Sequence, residues 1–260
     1  MSIIELVDLK KVYMGNHVAL DGVSMTIPHS TVFGLLGPNG AGKSTIINIL
    51  AGVVKRSEGI AKIFGKTIEH DDYIHKKDIG FVLEDPHYLE KLTATEYLHF
   101  CGALYELKST DIKERVNELL TFFDLKGRAT SQIETYSNGM KKKVSLAAAL
   151  IHQPKLLILD EPLEGIDPTS AKQIKDTLRL MADRGVTVVL SSHNLDTVEK
   201  FCDEVAIIHK GKLVFQTKTE EIRIKIKDEV SQERYQSLEE IFIDVVSDED
   251  DKPASSLSWL

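Results

Sequence analysis

A chain of 260 residues, 42% hydrophobic, is long enough to bury one core of ordinary size and still carry appendages. Its formal net charge of -8 argues against a nucleic-acid surface, although Lys141, Lys142 and Lys143 form a local basic exception. No apolar run approaches the roughly 18 residues a membrane span needs.

From the amino terminus, Ile4, Leu6, Val7 and Leu9, and then Val18, Leu20, Val23, Met25 and Ile27, alternate as half-exposed strands do. Gly15 and Asn16 form the turn between two antiparallel strands. The first ten residues include Glu5 and Asp8 and lack the basic, then apolar, profile of a secretory signal, so a cytoplasmic chain is expected. Val32 to Leu36 reads as a short buried strand, followed by the run GPNGAGKST from Gly37 to Thr45 and a helix opening near Lys43. That order makes a cradle for phosphate. Gly37, Gly40 and Gly42 let the backbone curl with its N–H groups inward, with Pro38, Asn39 and Ala41 between them. Lys43 reaches the β and γ phosphates, Ser44 offers a hydroxyl to magnesium, and Thr45 ends the run. The helix lays the positive end of its dipole against the triphosphate.

Further strands are expected at Ile60 to Phe64 and Ile79 to Leu83, separated by a polar loop rich in His, Asp and Lys. From Thr95 to about Phe123 the period becomes helical, and this insert ends near Gly127. Another helix begins after Ser137 and buries Val144, Ala147, Ala148 and Ile151. Leu156 to Leu159 is apolar without alternation, the pattern of a strand covered on both faces in a parallel sheet. A helix at 169–183, a strand at 186–190, a helix at 194–201 and strands at 205–208 and 212–216 complete an alternating order, which assigns the α/β class. Cys101 and Cys202 stand apart without a CxxC or histidine pattern and read as buried thiols in a reducing compartment. The charged stretch Glu220 to Glu240 reads as a helical surface extension, and the acidic run Asp248 to Asp251 as part of a disordered tail.

Two carboxylates close the chemistry. Asp160 ends the strand Leu156 to Leu159 and Glu161 follows it, at the carboxyl edge of the sheet where doubly wound folds bind ligands. Asp160 is placed to hold magnesium and Glu161 to polarise the water that attacks the γ phosphate.

With these in order, residues 1 to about 216 resemble an ATP-binding subunit of the ABC transporter family. The segment Tyr136 to Met140 (YSNGM) resembles the family's signature sequence, Glu164 to Asp167 its D-loop, and His193 its switch histidine. Tyr13 resembles the aromatic that stacks on adenine. The resemblance implies a P-loop NTPase core with a mostly parallel sheet, an antiparallel β subdomain and an α-helical subdomain within about 85–150. Residues 217–260 would form a charged extension. It implies ATP and Mg2+ as cofactors, with Tyr13 and the phosphate loop on the nucleotide and Ser44, Glu84 and Asp160 around the metal. It further implies that Ser137 and Gly139 face the γ phosphate bound by a second subunit, with Asp167 crossing the seam, so that two copies close head to tail. Glu161 and His193 then support attack by water.

Ser137 caps the following helix and turns its positive end toward an anion. The three lysines behind it read as solvated charges that oppose the macrodipole, a conflict an arriving polyphosphate would relieve. This chain departs from the family pattern at Asn138, where glycine is usual, and at Glu84, where glutamine is usual; the second change implies an altered magnesium dependence. Integral membrane permease subunits are implied partners, docking on the helical insert around 85–135 and holding the chain peripherally at the inner face of the membrane. The form YSNGMK and the late segment Leu238 to Phe242 are most similar to exporter ATPases for drugs, ions or polysaccharides. The rival is a soluble ABC ATPase acting on ribosomes or nucleic acid, whose usual paired nucleotide domains or long coiled-coil insert are missing here.

Overall fold

The computed structural model describes residues 2–69, 74–84, 88–222 and 237–246. Strands β1 (Ser2–Tyr13) and β2 (His17–Pro28) pair antiparallel around the turn at Met14 to Asn16, and β4 (Glu58–Ile63) and β5 (Lys66–Thr67) extend the sheet in the order β2-β1-β4-β5. Of the alternating apolar residues, Ile4, Leu6, Leu9, Leu20, Val23, Met25 and Ile27 are buried, whereas Val7 is half-buried and Val18, near the turn, is exposed.

The second sheet runs β10-β9-β3-β8-β7-β6. Its strands are β3 (Val32–Leu36), β6 (Ile79–Val82), β7 (Leu156–Leu159), β8 (Thr187–Ser192), β9 (Glu204–His209) and β10 (Lys212–Lys218). All adjacent pairs are parallel except the closing β9–β10 hairpin. Strands β3, β7 and β8 are buried at every position, which is why their sequences lack alternation. The carboxyl ends of β3, β7 and β8 therefore converge on one edge, bringing the phosphate loop, Asp160 and His193 together.

Helix α1 (Lys43–Leu50) leaves the phosphate loop, and α2 (Ala94–Leu104) starts in a capping box in which Thr93 and Glu96 satisfy each other's backbone N–H groups. The helical period expected over Thr95 to Phe123 is two helices, α2 and α3 (Ser109–Phe122). The chain turns between them through Glu106 in the left-handed region (φ 58), and the Leu107 N–H is taken by the Gly102 carbonyl. Helix α4 (Asn138–Leu150) is capped by Ser137, α5 (Pro168–Asp183) by Asp167 with proline at its first position, and α6 (Leu195–Phe201) by Asn194. The late segment forms α7 (Leu238–Val246), with Leu238 and Ile241 buried in the core; the Leu238 N–H donates to Glu199. The remainder of the charged extension, 223–236, and the acidic tail lie outside the described residues. Both thiols are sequestered as expected, Cys202 buried and Cys101 half-buried, and burial pushes each upward in pKa. No helix among the described residues is long and apolar enough to cross a membrane.

One buried histidine ties the helical insert to the sheet. The rings of Tyr105 and His152 stack at 3.6 Å, and His152 Nε2 donates to the Ile79 carbonyl at 3.1 Å on edge strand β6. Burial pushes His152 down from 6.5 to about 4, opposed in part by that hydrogen bond and by Asp78. A folded-state pKa below the unfolded value means the fold favours the neutral ring. The contribution is complete above pH 6.5 and is lost as pH falls through about 4. Urea titrations at pH 7, 5 and 4 are expected to show His152→Phe, which keeps the stack but cannot take up the proton, declining less than the unsubstituted protein by about 2 kcal/mol.

Candidate functional site

A cavity of about 410 Å³ opens at the carboxyl edge of the parallel sheet, lined in part by Tyr13, Lys43, Ser44, Asp160, Glu161 and His193. Its floor is the phosphate loop. Gly42 sits at φ 112 directly before α1, and a Cβ there would lie 2.7 Å from the Ala19 carbonyl, so both conformation and space require glycine. The Ala41 N–H donates to Pro38 and the Ala41 carbonyl accepts from Gly211, bracing the loop from the turn between β9 and β10. Lys43, 7% exposed, folds over the loop and donates to the Gly37 carbonyl at 2.7 Å and the Pro38 carbonyl at 3.2 Å. Burial lowers the pKa of its ammonium against the opposing pull of Glu161, Asp160 and Glu84. A triphosphate would replace two neutral carbonyls with anionic oxygens, which are stronger acceptors.

The carboxylates are held by a residue that sequence reasoning gave no role. Ser191, fully buried at the end of β8, donates from Oγ to Asp160 Oδ1 and accepts the Glu161 N–H at 2.9 Å. Glu161 adopts φ 45, a left-handed conformation that costs a non-glycine residue about 1–2 kcal/mol. Its side chain is only 12% exposed, and Oε1 accepts a hydrogen bond at 3.0 Å from Nδ1 of the 57% exposed His193. A carboxylate and an imidazole thus stand locked over the phosphate loop, a geometry suited to accepting a proton from water.

Ser44 Oγ donates to Glu84 Oε2 at 3.2 Å, and Asp160 lines the same cavity. These are hard oxygen donors. Among the described residues no cluster of three or more carboxylate, imidazole or thiol groups forms a closed metal cage. That fits magnesium, which takes few protein ligands and completes its shell with water and phosphate oxygens.

The cavity gathers Tyr13, Asn39, Gly40, Gly42, Lys43, Ser44, Thr45, Glu84, Asp160, Glu161 and His193 from the sequence reading. Tyr13 already carries the Lys11 ammonium 4.7 Å from its ring centroid, a cation–π contact beside the expected base platform. Gly37, Pro38 and Ala41 shape the loop from outside the cavity wall. Two lining residues, His17 and Ala19, were not anticipated, and Glu164 joins them from the segment that resembles the D-loop; His17 is the cross-strand partner of Tyr13.

Ser137, Gly139 and Asp167 stand elsewhere. Ser137 Oγ accepts the Met140 N–H at 3.3 Å and lies exposed at the start of α4. A Cβ on Gly139 would lie 2.7 Å from the Gly165 carbonyl, so glycine permits the close approach of α4 to the 164–167 loop. The Asp167 carboxylate caps α5 through the Ser170 N–H, which with Lys143 holds it well below the usual carboxylate range. The expected solvated lysines are instead engaged: Lys141 pairs with Glu90 at 2.6 Å, Lys143 with Asp167 at 3.6 Å, and Lys142 donates to the Asp160 carbonyl at 3.3 Å. Burial lowers the pKa of Lys142, while Glu164, Asp160, Glu161 and Glu84 raise it. The first turn of α4 packs against loops at the carboxyl edge of the sheet, so negative groups meet the lysines that oppose its dipole.

Comparison with known proteins adds four findings. The ABC transporter family profile matches residues 20–164. The chain is 40% identical over 214 residues to the linearmycin resistance ATP-binding protein LnrL of Bacillus subtilis (strain 168), covering 82% of this chain and 68% of that protein. It is 35% identical to the daunorubicin/doxorubicin resistance ATP-binding protein DrrA of Streptomyces peucetius, covering 87% of this chain and 68% of that one. Among solved structures, a dimeric ATP-binding cassette in a post-hydrolysis state with ADP and Pi superposes with a TM-score of 0.77 at 25% identity, over 83% of this chain and 98% of the other.

Proposed function

This chain belongs to the ABC transporter family as an ATP-binding subunit, and we propose that two copies close head to tail around ATP, hydrolyse it, and so drive export through separate membrane subunits. The observation that carries this reading is the single cavity in which the phosphate loop, Asp160 and the Glu161–His193 pair meet. ATP lies with its base toward Tyr13 and its phosphates on the loop backbone, Lys43 and the N-terminus of α1. Ser44, Glu84 and Asp160 would hold magnesium, which would supply positive charge to offset that of the phosphates. Glu161 accepts the proton of the attacking water, and His193, released from Glu161, contacts the γ phosphate. Ser137 and Gly139 lie outside the chain's own cavity, yet they open the N-terminus of α4, whose first N–H groups have no acceptor within the helix. This arrangement suits phosphate carried by a second copy.

Export is supported by relatives named for resistance to linearmycin and to daunorubicin/doxorubicin, and the helical insert is the docking site proposed for membrane subunits. A photoreactive γ-phosphate analogue of ATP tests the head-to-tail geometry. Chains carrying Lys43→Ala are expected to become labelled within the first turn of α4 only when mixed with unsubstituted chains. Label confined to the chain that binds the nucleotide would overturn the reading.

A further inference from the structure

We propose that Lys142 is a positioning residue for the nucleotide's phosphates in its own chain, an ammonium that offsets the cavity's carboxylate wall, to which Glu164 belongs. This inference rests on the nucleotide site proposed above.

The side chains lining the cavity include four carboxylates, Glu84, Asp160, Glu161 and Glu164, and one ammonium, Lys43. Such a wall repels a polyanion. Counter-charge must come from behind it, and Lys142 is placed there: half-buried and anchored at 3.3 Å on the carbonyl of Asp160, one of the four wall carboxylates. The neighbouring lysines are spent elsewhere, Lys141 on Glu90 and Lys143 on Asp167. Among the described residues Lys142 has no carboxylate within ion-pair distance, so its charge acts on the wall as a whole and on whatever the wall admits. Because it extends from α4, just past its first turn, Lys142 also links that helix, whose N-terminus serves the opposing copy, to the nucleotide of its own chain. Glu164 stands on the turn after β7, its N–H on the Glu161 carbonyl at 3.3 Å, so its charge moves with the catalytic carboxylate.

Binding of a fluorescent ATP analogue in EDTA tests this, because without metal the side-chain charges act on the phosphates directly. Lys142→Gln is expected to weaken binding about tenfold, Glu164→Gln to tighten it about threefold, and the double variant to return within about threefold of the unsubstituted protein. Lys142→Arg should keep the affinity. Raising salt from about 0.05 to about 0.5 M should shrink the Lys142→Gln deficit, as screening requires and a packing role does not. Unchanged affinity in Lys142→Gln, a deficit that Glu164→Gln does not relieve, or a deficit indifferent to salt would overturn the proposal. If Lys142→Gln fails to fold, Glu164→Gln decides alone: unchanged affinity there overturns it. Absence of binding by the unsubstituted protein would refute the nucleotide site itself, a separate failure.

Discussion

Replacing Glu161 with glutamine is expected to lower ATP turnover by a hundredfold or more while ATP affinity stays within about threefold of the unsubstituted protein. The amide preserves shape, the left-handed backbone and an oxygen that can accept from His193 at the same place. It removes only the capacity to take a proton from water. None of the groups that would grip the phosphates, which are Lys43, Ser44 and the loop backbone, touches the Glu161 side chain through a hydrogen bond. Loss should therefore fall on kcat and not on binding. If hydrolysis is what parts the two copies, the variant should also accumulate as a dimer in ATP. Single-turnover phosphate release, nucleotide binding and light scattering on one preparation separate these effects. A kcat within tenfold of the unsubstituted value would assign the base elsewhere, and His193→Ala would then show whether the imidazole acts alone.

The parts of this site that were legible in the sequence are those fixed by local chemistry. A glycine-rich turn between a buried strand and a helix has few backbone solutions, and an aspartate at the end of an apolar strand must emerge at the sheet edge. Strand β3 and the capped start of α4 followed from the same local rules. What remained illegible depends on contacts distant in sequence. Ser191 is one hydroxyl among many until the pairing of β7 with β8 sets it beside Asp160 and Glu161. Lys141 to Lys143 looked solvated because spacing cannot reveal that Glu90, the Asp160 carbonyl and Asp167 meet three successive side chains. The place where the helical period over Thr95 to Phe123 breaks into α2 and α3 turned on one left-handed residue, Glu106, which propensity does not announce. The stretch Glu220 to Glu240 read as a surface extension, but Leu238 within it and the following Ile241 join the core beside α6.

Lys43→Ala is expected to weaken ATP binding by at least about a hundredfold while leaving the nucleotide-free protein within about 1 kcal/mol of its original stability. Two opposing effects justify the small second number. Removing the side chain deletes hydrogen bonds to the Gly37 and Pro38 carbonyls, yet those oxygens stand in an open phosphate loop where water can replace the ammonium. It also relieves a largely buried cation whose own hydrogen bonds go to neutral oxygens, its carboxylate neighbours acting at longer range. The triphosphate loses far more, because among the described residues no other ammonium lines the cavity to meet its terminal charge. Thermal unfolding with and without nucleotide distinguishes the two. At about a hundred times Kd, ATP should stabilise the unsubstituted protein by about 2.7 kcal/mol, and the same concentration should leave Lys43→Ala nearly unmoved. An undiminished ATP-dependent rise in Tm would mean that the phosphates bind away from this loop, and the assignment of the cavity would fall with it.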